Sequence, residues 1–111
     1  MAVSVGLAFG QAANALVVTS FSVIPTTVAP GGNFTITQNI TCAGPTATIV
    51  LTDHSGNPAG QLVVNDGAGV WPGTVASSAA PGLATFTEYC NDQGSSTAQT
   101  VGTLTVTLTT E

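Results

Sequence analysis

Asp53-His54-Ser55 contains the three residue types of a catalytic triad in succession: an acid, a base and a hydroxyl nucleophile. His54 is the only histidine of the chain, so it is the one side chain that ordinarily titrates near neutral pH. A relay requires its three members to meet, and consecutive residues do not face one another. The Gly-Asn-Pro sequence that follows is typical of a turn. We therefore interpret the run as a turn.

The acids and the metal-binding residue types offer no stronger pattern. Asp53, Asp66 and Asp92 each lie among turn residues, so a carboxylate pair for glycoside hydrolysis must come from separate loops. Oxygen-bearing residues alternate at Asp53, Ser55 and Asn57, but the twelfth position of a calcium loop holds no glutamate. Two cysteines and one histidine fall short of the four ligands of a zinc site. We predict a protein that is not an enzyme and has no metal and no cofactor.

Composition excludes several classes of partner. The chain has no Lys or Arg, and its five acids give a formal net charge of -5. Without cations it cannot neutralise nucleic-acid phosphates or bind anionic lipid. Charged residues make up 5% of the chain and hydrophobic residues 43%, which is enough to fill a core. We predict a folded domain that binds neither nucleic acid nor anionic membranes.

Threonine alternates with apolar residues along much of the chain, and this period of two is typical of β-strands. Turn residues recur at short intervals, as in Pro30-Gly31-Gly32 and Pro81-Gly82, which is typical of a sandwich or barrel. We predict strands at 16–24, 33–42, 46–52, 61–65, 70–75, 83–90 and 101–109, with a short piece beginning at Val28. The pattern predicts one all-β domain.

The two cysteines stand at the ends of predicted strands. By the period of two, Cys42 shares a face with Phe34, and Cys90 shares a face with Phe86. An even number of cysteines in this placement favours a disulfide between two facing sheets over two reduced thiols. Because disulfides persist in oxidising compartments, the pair indicates a secreted or cell-surface protein.

Parts of the sequence resemble secreted bacterial immunoglobulin-like domains. The resemblance rests on FSVIPTTVAPGGNFTIT at 21–37, APGLATFTEYC at 80–90 and LTVT at 104–107. It implies an immunoglobulin-like antiparallel β-sandwich of about seven strands with one inter-sheet disulfide. The chain is also similar in size and acidity to the enediyne-chromophore carriers of the neocarzinostatin family. Those carriers have four cysteines, and this chain has two.

The alternation also turns Gln38 and Glu88 inward. If the resemblance holds, their strands lie side by side and the two residues meet below the disulfide. A buried carboxyl without a partner is costly and keeps its proton to higher pH. Three interpretations are open: a polar pocket for a small ligand, a bulge that turns one side chain outward, or a hydrogen bond between Gln38 and Glu88.

The first fifteen residues, MAVSVGLAFGQAANA, are typical of the apolar part and cleavage site of a secretory signal peptide, without its positive start. We predict a signal-peptide remnant at 1–15 and an immunoglobulin-like domain at 16–111. An extra strand or helix on the domain, or a weak membrane span, is the alternative for 1–15. Asn33 and Asn39 begin Asn-x-Thr motifs, which are glycosylation acceptors if the source is eukaryotic.

These features predict a secreted or cell-surface module with a structural or adhesive role and an unidentified protein or surface partner. Two other hypotheses stay open. Edge strands without Lys invite pairing with another copy, which suits a self-assembling extracellular filament or sheath subunit. A cleft between the sheets suits a small-molecule carrier of the chromophore type.

Overall fold

The computed structural model describes residues 16–91 and 97–108; the predicted signal segment, Asp92 and Glu111 lie outside the described residues. Eight strands make up most of the described chain. They are β1 (Val17–Ile24), β2 (Thr27–Val28), β3 (Asn33–Thr41), β4 (Thr46–Thr52), β5 (Pro58–Asn65), β6 (Gly67–Thr74), β7 (Gly82–Cys90) and β8 (Gln99–Val106). Within this part of the chain, no helix is long and apolar enough to cross a membrane.

The strands form two sheets. A three-stranded sheet has the order β1-β3-β6, and a five-stranded sheet has the order β2-β8-β7-β4-β5. The two sheets face each other, with β1 against β8 and β6 against β5. The prediction of an all-β sandwich with an inter-sheet disulfide is confirmed, with eight strands where about seven were expected.

One strand pair departs from the predicted antiparallel arrangement. Strand β2 pairs with β8 in parallel, through Thr27 with Thr105 and Val28 with Val106. Proline has no N–H to donate, so Pro25 ends the pairing of β1 with β3. The chain then crosses to the other sheet and meets β8 in the same direction.

Two predicted strands are longer than the sequence pattern indicated. Strand β5 begins at Pro58 and β6 begins at Gly67, so the turn between them is the single residue Asp66. Proline and glycine suggest loops, but both of these strands lie at sheet edges, where a strand pairs on one side only. An edge strand tolerates proline because the N–H that proline lacks can face the open side, where no neighbouring strand would accept its hydrogen bond. The same reason explains Pro72 inside β6.

The core follows from strict alternation along the strands. In β3, buried and exposed residues alternate over the whole strand, and Ile36 is 0% exposed. Phe86 lies at the centre of an aromatic cluster, with its ring centroid 5.5 Å from that of Phe21 and 5.4 Å from that of Phe34. Tilted and edge-on contacts at these distances add to the apolar burial.

The Cys42–Cys90 disulfide joins the residue after β3 to the last residue of β7. The two Cα atoms are 5.7 Å apart, within the usual range for a disulfide. Because β3 and β7 belong to different sheets, the bond closes one end of the sandwich.

Candidate functional site

Asp53, His54 and Ser55 lie in a turn between β4 and β5, as the sequence indicated. Asp53 Oδ1 accepts hydrogen bonds from the backbone N–H groups of Ser55 and Asn57, both at 3.0 Å. Asp53 Oδ2 accepts a third from Ala80 N–H at 2.9 Å, which joins this turn to the connection between β6 and β7. The bonds from Ala80 and Asn57 stabilise the carboxylate and lower the pKa of Asp53.

His54 lies next to this network in the sequence but is exposed to solvent. Its side chain is exposed and lies against Gly82, where an added Cβ would be 2.8 Å from the His54 Cβ. Asp53 is 5% exposed and directs both oxygens at backbone N–H groups. Over residues 16–91 and 97–108, no three His, Cys, Asp or Glu side chains come together as metal ligands.

Asp66 is also engaged with the backbone. Its Oδ1 accepts a hydrogen bond from Cys42 N–H at 2.6 Å, and its own N–H donates to Pro45 O at 2.9 Å. These bonds tie the turn between β5 and β6 to the end of β3, next to the disulfide. The carboxylate therefore has a clear structural role.

Gln38 and Glu88 meet between the sheets. Gln38 Nε2 donates to Glu88 Oε2 at 3.0 Å, and the two side chains are 1% and 0% exposed. The pairing of β7 with β8 shifts register between Phe86 and Thr87, next to Glu88. Both Gln38 and Glu88 nevertheless point inward, so the interpretation of a bulge that turns one side chain outward is wrong.

Burial governs the ionisation of Glu88. Desolvation raises the pKa of Glu88 above its ordinary value, and the hydrogen bond from Gln38 opposes this rise. No Lys or Arg exists anywhere in the chain to pair with the carboxylate. The residues in register with Glu88 on the neighbouring strands are Ile49 on β4 and Gln99 on β8, and neither carries a charge.

Trp71 is the member of this region that sequence reasoning missed. Its Nε1 is buried without a hydrogen-bond partner, as are Gln38 Oε1 and Glu88 Oε1. The indole ring lies on Gly69, where an added Cβ would be 2.9 Å from Nε1. The sequence offered only the Gly-x-Trp spacing, which places a glycine on the same face of the strand as the ring but does not define where the ring lies.

The outer surfaces of the sandwich are uncharged along the strands. Glu88 is the only charged residue within β1 to β8, and it is buried. Val63 and Val70 are 57% and 62% exposed on the edge strands β5 and β6. Asn33 and Asn39 lie at exposed positions of β3, and Asn33 Oδ1 accepts a hydrogen bond from Thr74 Oγ1 at 2.9 Å.

No protein-family model and no curated protein sequence matches this chain. The features that bear on function are the disulfide, the hydrogen bonds of the carboxyl groups and the uncharged strand surfaces.

Proposed function

We propose that the protein is an extracellular, non-catalytic module of immunoglobulin-like architecture with a structural or adhesive role. The observation that carries the proposal is the Cys42–Cys90 disulfide, which uses both cysteines of the chain and joins the two sheets. Disulfides persist in oxidising compartments outside the cytosol, and small secreted domains use them to supplement a small hydrophobic core.

The strand order supports the immunoglobulin-like part of the proposal. The first strand is divided between the sheets, as β1 and β2. The disulfide joins the ends of β3 and β7, which are the central strands of the two sheets. Immunoglobulin-like sandwiches divide their strands and place their inter-sheet disulfide in a similar way. That architecture supports many roles, so the function depends on the exposed surface.

The ionisable groups support a non-catalytic role. Asp53 and Asp66 accept backbone hydrogen bonds, and Glu88 is enclosed between the sheets. A catalytic acid or base must reach its substrate, and Asp53 and Glu88 are both buried. Exposed threonines, asparagines and valines remain as the contact surface of the strands.

Secretion and oxidation are tested together on the full chain expressed in a secreting bacterial host. We expect the protein in the medium or on the cell surface, with an intact mass two hydrogens below that of the reduced chain. Protein that stays in the cytosol with two free thiols would refute the extracellular role.

The adhesive role is tested by washing cells that display the protein. Because the strand surfaces have no exposed charge, we expect retention at the surface to survive a wash at about 1 M salt, where charge–charge contacts are screened. The variant Thr37→Lys, on the exposed face of β3, should weaken retention if that face makes the contact. Release of all the protein by salt would contradict the proposal.

A second candidate function is self-assembly by strand addition. Strands β1, β5 and β6 lie at sheet edges, and none of them contains a charged residue. Edge strands usually carry such residues to prevent pairing with other copies. Size-exclusion chromatography with light scattering should then show concentration-dependent multimers that Val63→Lys on β5 abolishes. Thr37→Lys, which adds the same charge on the central strand of the other sheet, is the control, and monomers at every concentration would exclude self-assembly.

A further inference from the structure

Three polar atoms between the sheets have no hydrogen-bond partner: Gln38 Oε1, Glu88 Oε1 and Trp71 Nε1. Buried polar atoms are almost always hydrogen-bonded, because an unmade bond leaves their lost hydration uncompensated. Gln38 and Glu88 are already joined through Nε2 and Oε2, so the unpaired oxygens belong to adjoining groups.

Trp71 belongs to the same cluster. Gly69 is the residue of β6 in register with Gln38 of β3, and directly opposed residues on one face of a sheet are neighbours. The Trp71 ring covers Gly69, with Nε1 at 2.9 Å from where a Cβ would stand. The indole N–H therefore lies over the position that adjoins Gln38. Together the three residues supply one N–H donor and two oxygen atoms.

Direct pairing within the cluster does not satisfy all three atoms. If Glu88 is protonated, its hydroxyl can donate to Gln38 Oε1 and complete a two-bond pair between acid and amide. Gln38 Oε1 has a second lone pair, but the indole N–H makes no hydrogen bond to it in the structure, so Trp71 Nε1 stays unpaired in that arrangement. With Glu88 ionised, the two Oε1 atoms are both acceptors and repel each other.

A water molecule suits all three atoms in either protonation state of Glu88. It accepts from Trp71 Nε1 and donates to Gln38 Oε1, and towards Glu88 it donates to a carboxylate or accepts from a carboxylic acid. Buried waters typically make about three hydrogen bonds to groups of this kind. We propose that Gln38, Glu88 and Trp71 form a binding site for one water molecule between the two sheets.

The site is the smallest form of the polar pocket that the sequence suggested. Its occupant links β3 and β6 of one sheet to β7 of the other, close to the disulfide. A cation is a poorer occupant, because the cluster has a single carboxyl group and presents an N–H donor. An apolar ligand would leave all three atoms unpaired.

The test is a crystal structure of the full chain at about 1.2 Å resolution, combined with NMR of the Trp71 indole proton in solution. We expect one ordered water at about 2.7–3.2 Å from each of the three atoms. We also expect a nuclear Overhauser contact between the indole proton and a long-lived water. A Gln38 Oε1 to Glu88 Oε1 distance of about 2.5–3.0 Å with no water between them would overturn the proposal in favour of direct acid–amide pairing.

Variants of Gln38 and Glu88 test whether the bound water depends on the oxygen atoms of these two side chains. Glu88→Gln keeps the size and the hydrogen-bonding capacity of the side chain, so the water and its contact with the indole proton should remain. The double substitution Gln38→Met with Glu88→Met removes both acceptors at similar volume, so the long-lived water should be lost. If that variant does not fold, Trp71→Phe serves instead, with one fewer hydrogen bond to the water in the crystal. A water that persists unchanged in all variants, or none in the wild type, would refute the site.

Discussion

Removing the disulfide should cost much of the stability of this domain. Cys42 and Cys90 are separated by 48 positions in the sequence. In the chain-entropy model, a loop of that length takes about 14 cal/mol/K from the unfolded chain, or about 4 kcal/mol at 25 °C. Globular domains are typically stable by about 5–15 kcal/mol, so the substitution Cys42→Ala with Cys90→Ala removes a large fraction.

The assay is equilibrium unfolding in urea, followed by the fluorescence of Trp71, the only tryptophan of the chain. We expect a lower midpoint and a steeper dependence of the unfolding free energy on urea, because the uncrosslinked chain exposes more surface when it unfolds. Wild-type protein reduced with a thiol is the control, since it loses the covalent bond and keeps both sulfur atoms.

The outcome distinguishes two origins of the stabilisation. If reduction alone reproduces most of the loss, the covalent bond is the source of the stabilisation, and the packing of the two sulfur atoms contributes little. A loss of less than about 1 kcal/mol on reduction would refute the reasoning, because the loop-closure term would then be absent or balanced by strain.

Three further predictions follow from single residues. The pKa of Glu88 is raised, so the folded state binds the proton of this carboxyl group more tightly than the unfolded chain does. The resulting gain in folding stability is complete below about pH 4.5, the ordinary pKa, and is lost as the pH rises through the folded pKa. Melting temperature should therefore fall with rising pH over this window in the wild type and stay flatter in Glu88→Gln; equal profiles would contradict the assignment. The lowered pKa of Asp53 has the opposite effect: the stability that its carboxylate contributes is complete above pH 3.8 and is lost as the pH falls through the folded pKa. In Asp53→Asn, the melting temperature should therefore depend less on pH at the acid end of the range. Gly102→Ala places a Cβ 2.5 Å from the Phe21 ring, so it should lower the free energy of unfolding measured in urea by about 1–3 kcal/mol. If the same substitution costs as much in a Phe21→Ala background, a clash with the Phe21 ring is not the cause.

The sequence predicted the features that depend on local alternation. The burial of Phe34, Ile36 and Ile40 along β3, and the disulfide at the strand ends, follow from a period of two that one strand carries by itself. The inward direction of Gln38 and Glu88 follows from the same rule. Their hydrogen bond required the resemblance as well, because only the arrangement of the two sheets brings β3 and β7 together.

The rest depended on contacts that the local pattern does not contain. Pro58 reads as a loop residue because its tolerance in β5 comes from the position of that strand at a sheet edge. Gly67 reads as a loop residue because it follows the turn at Asp66 with a φ of 101°. The parallel pairing of β2 with β8 is set by where the chain crosses between sheets. The role of Trp71 depends on the direction in which its ring folds over Gly69, which spacing alone does not define.

The absence of Lys and Arg changes the net charge that the protein has at low pH. Most proteins become strongly cationic at low pH, and the mutual repulsion of those charges drives their acid unfolding. Here protonation of the carboxyl groups removes the charge of -5, and the chain has no Lys or Arg to leave a large positive charge behind. Acid therefore leaves this protein nearly neutral, with little repulsion to open the sandwich. We therefore expect its limit in acid to be colloidal: close to pH 4.1, the isoelectric point that its composition gives, folded molecules lose the charge repulsion that keeps them apart and should come out of solution.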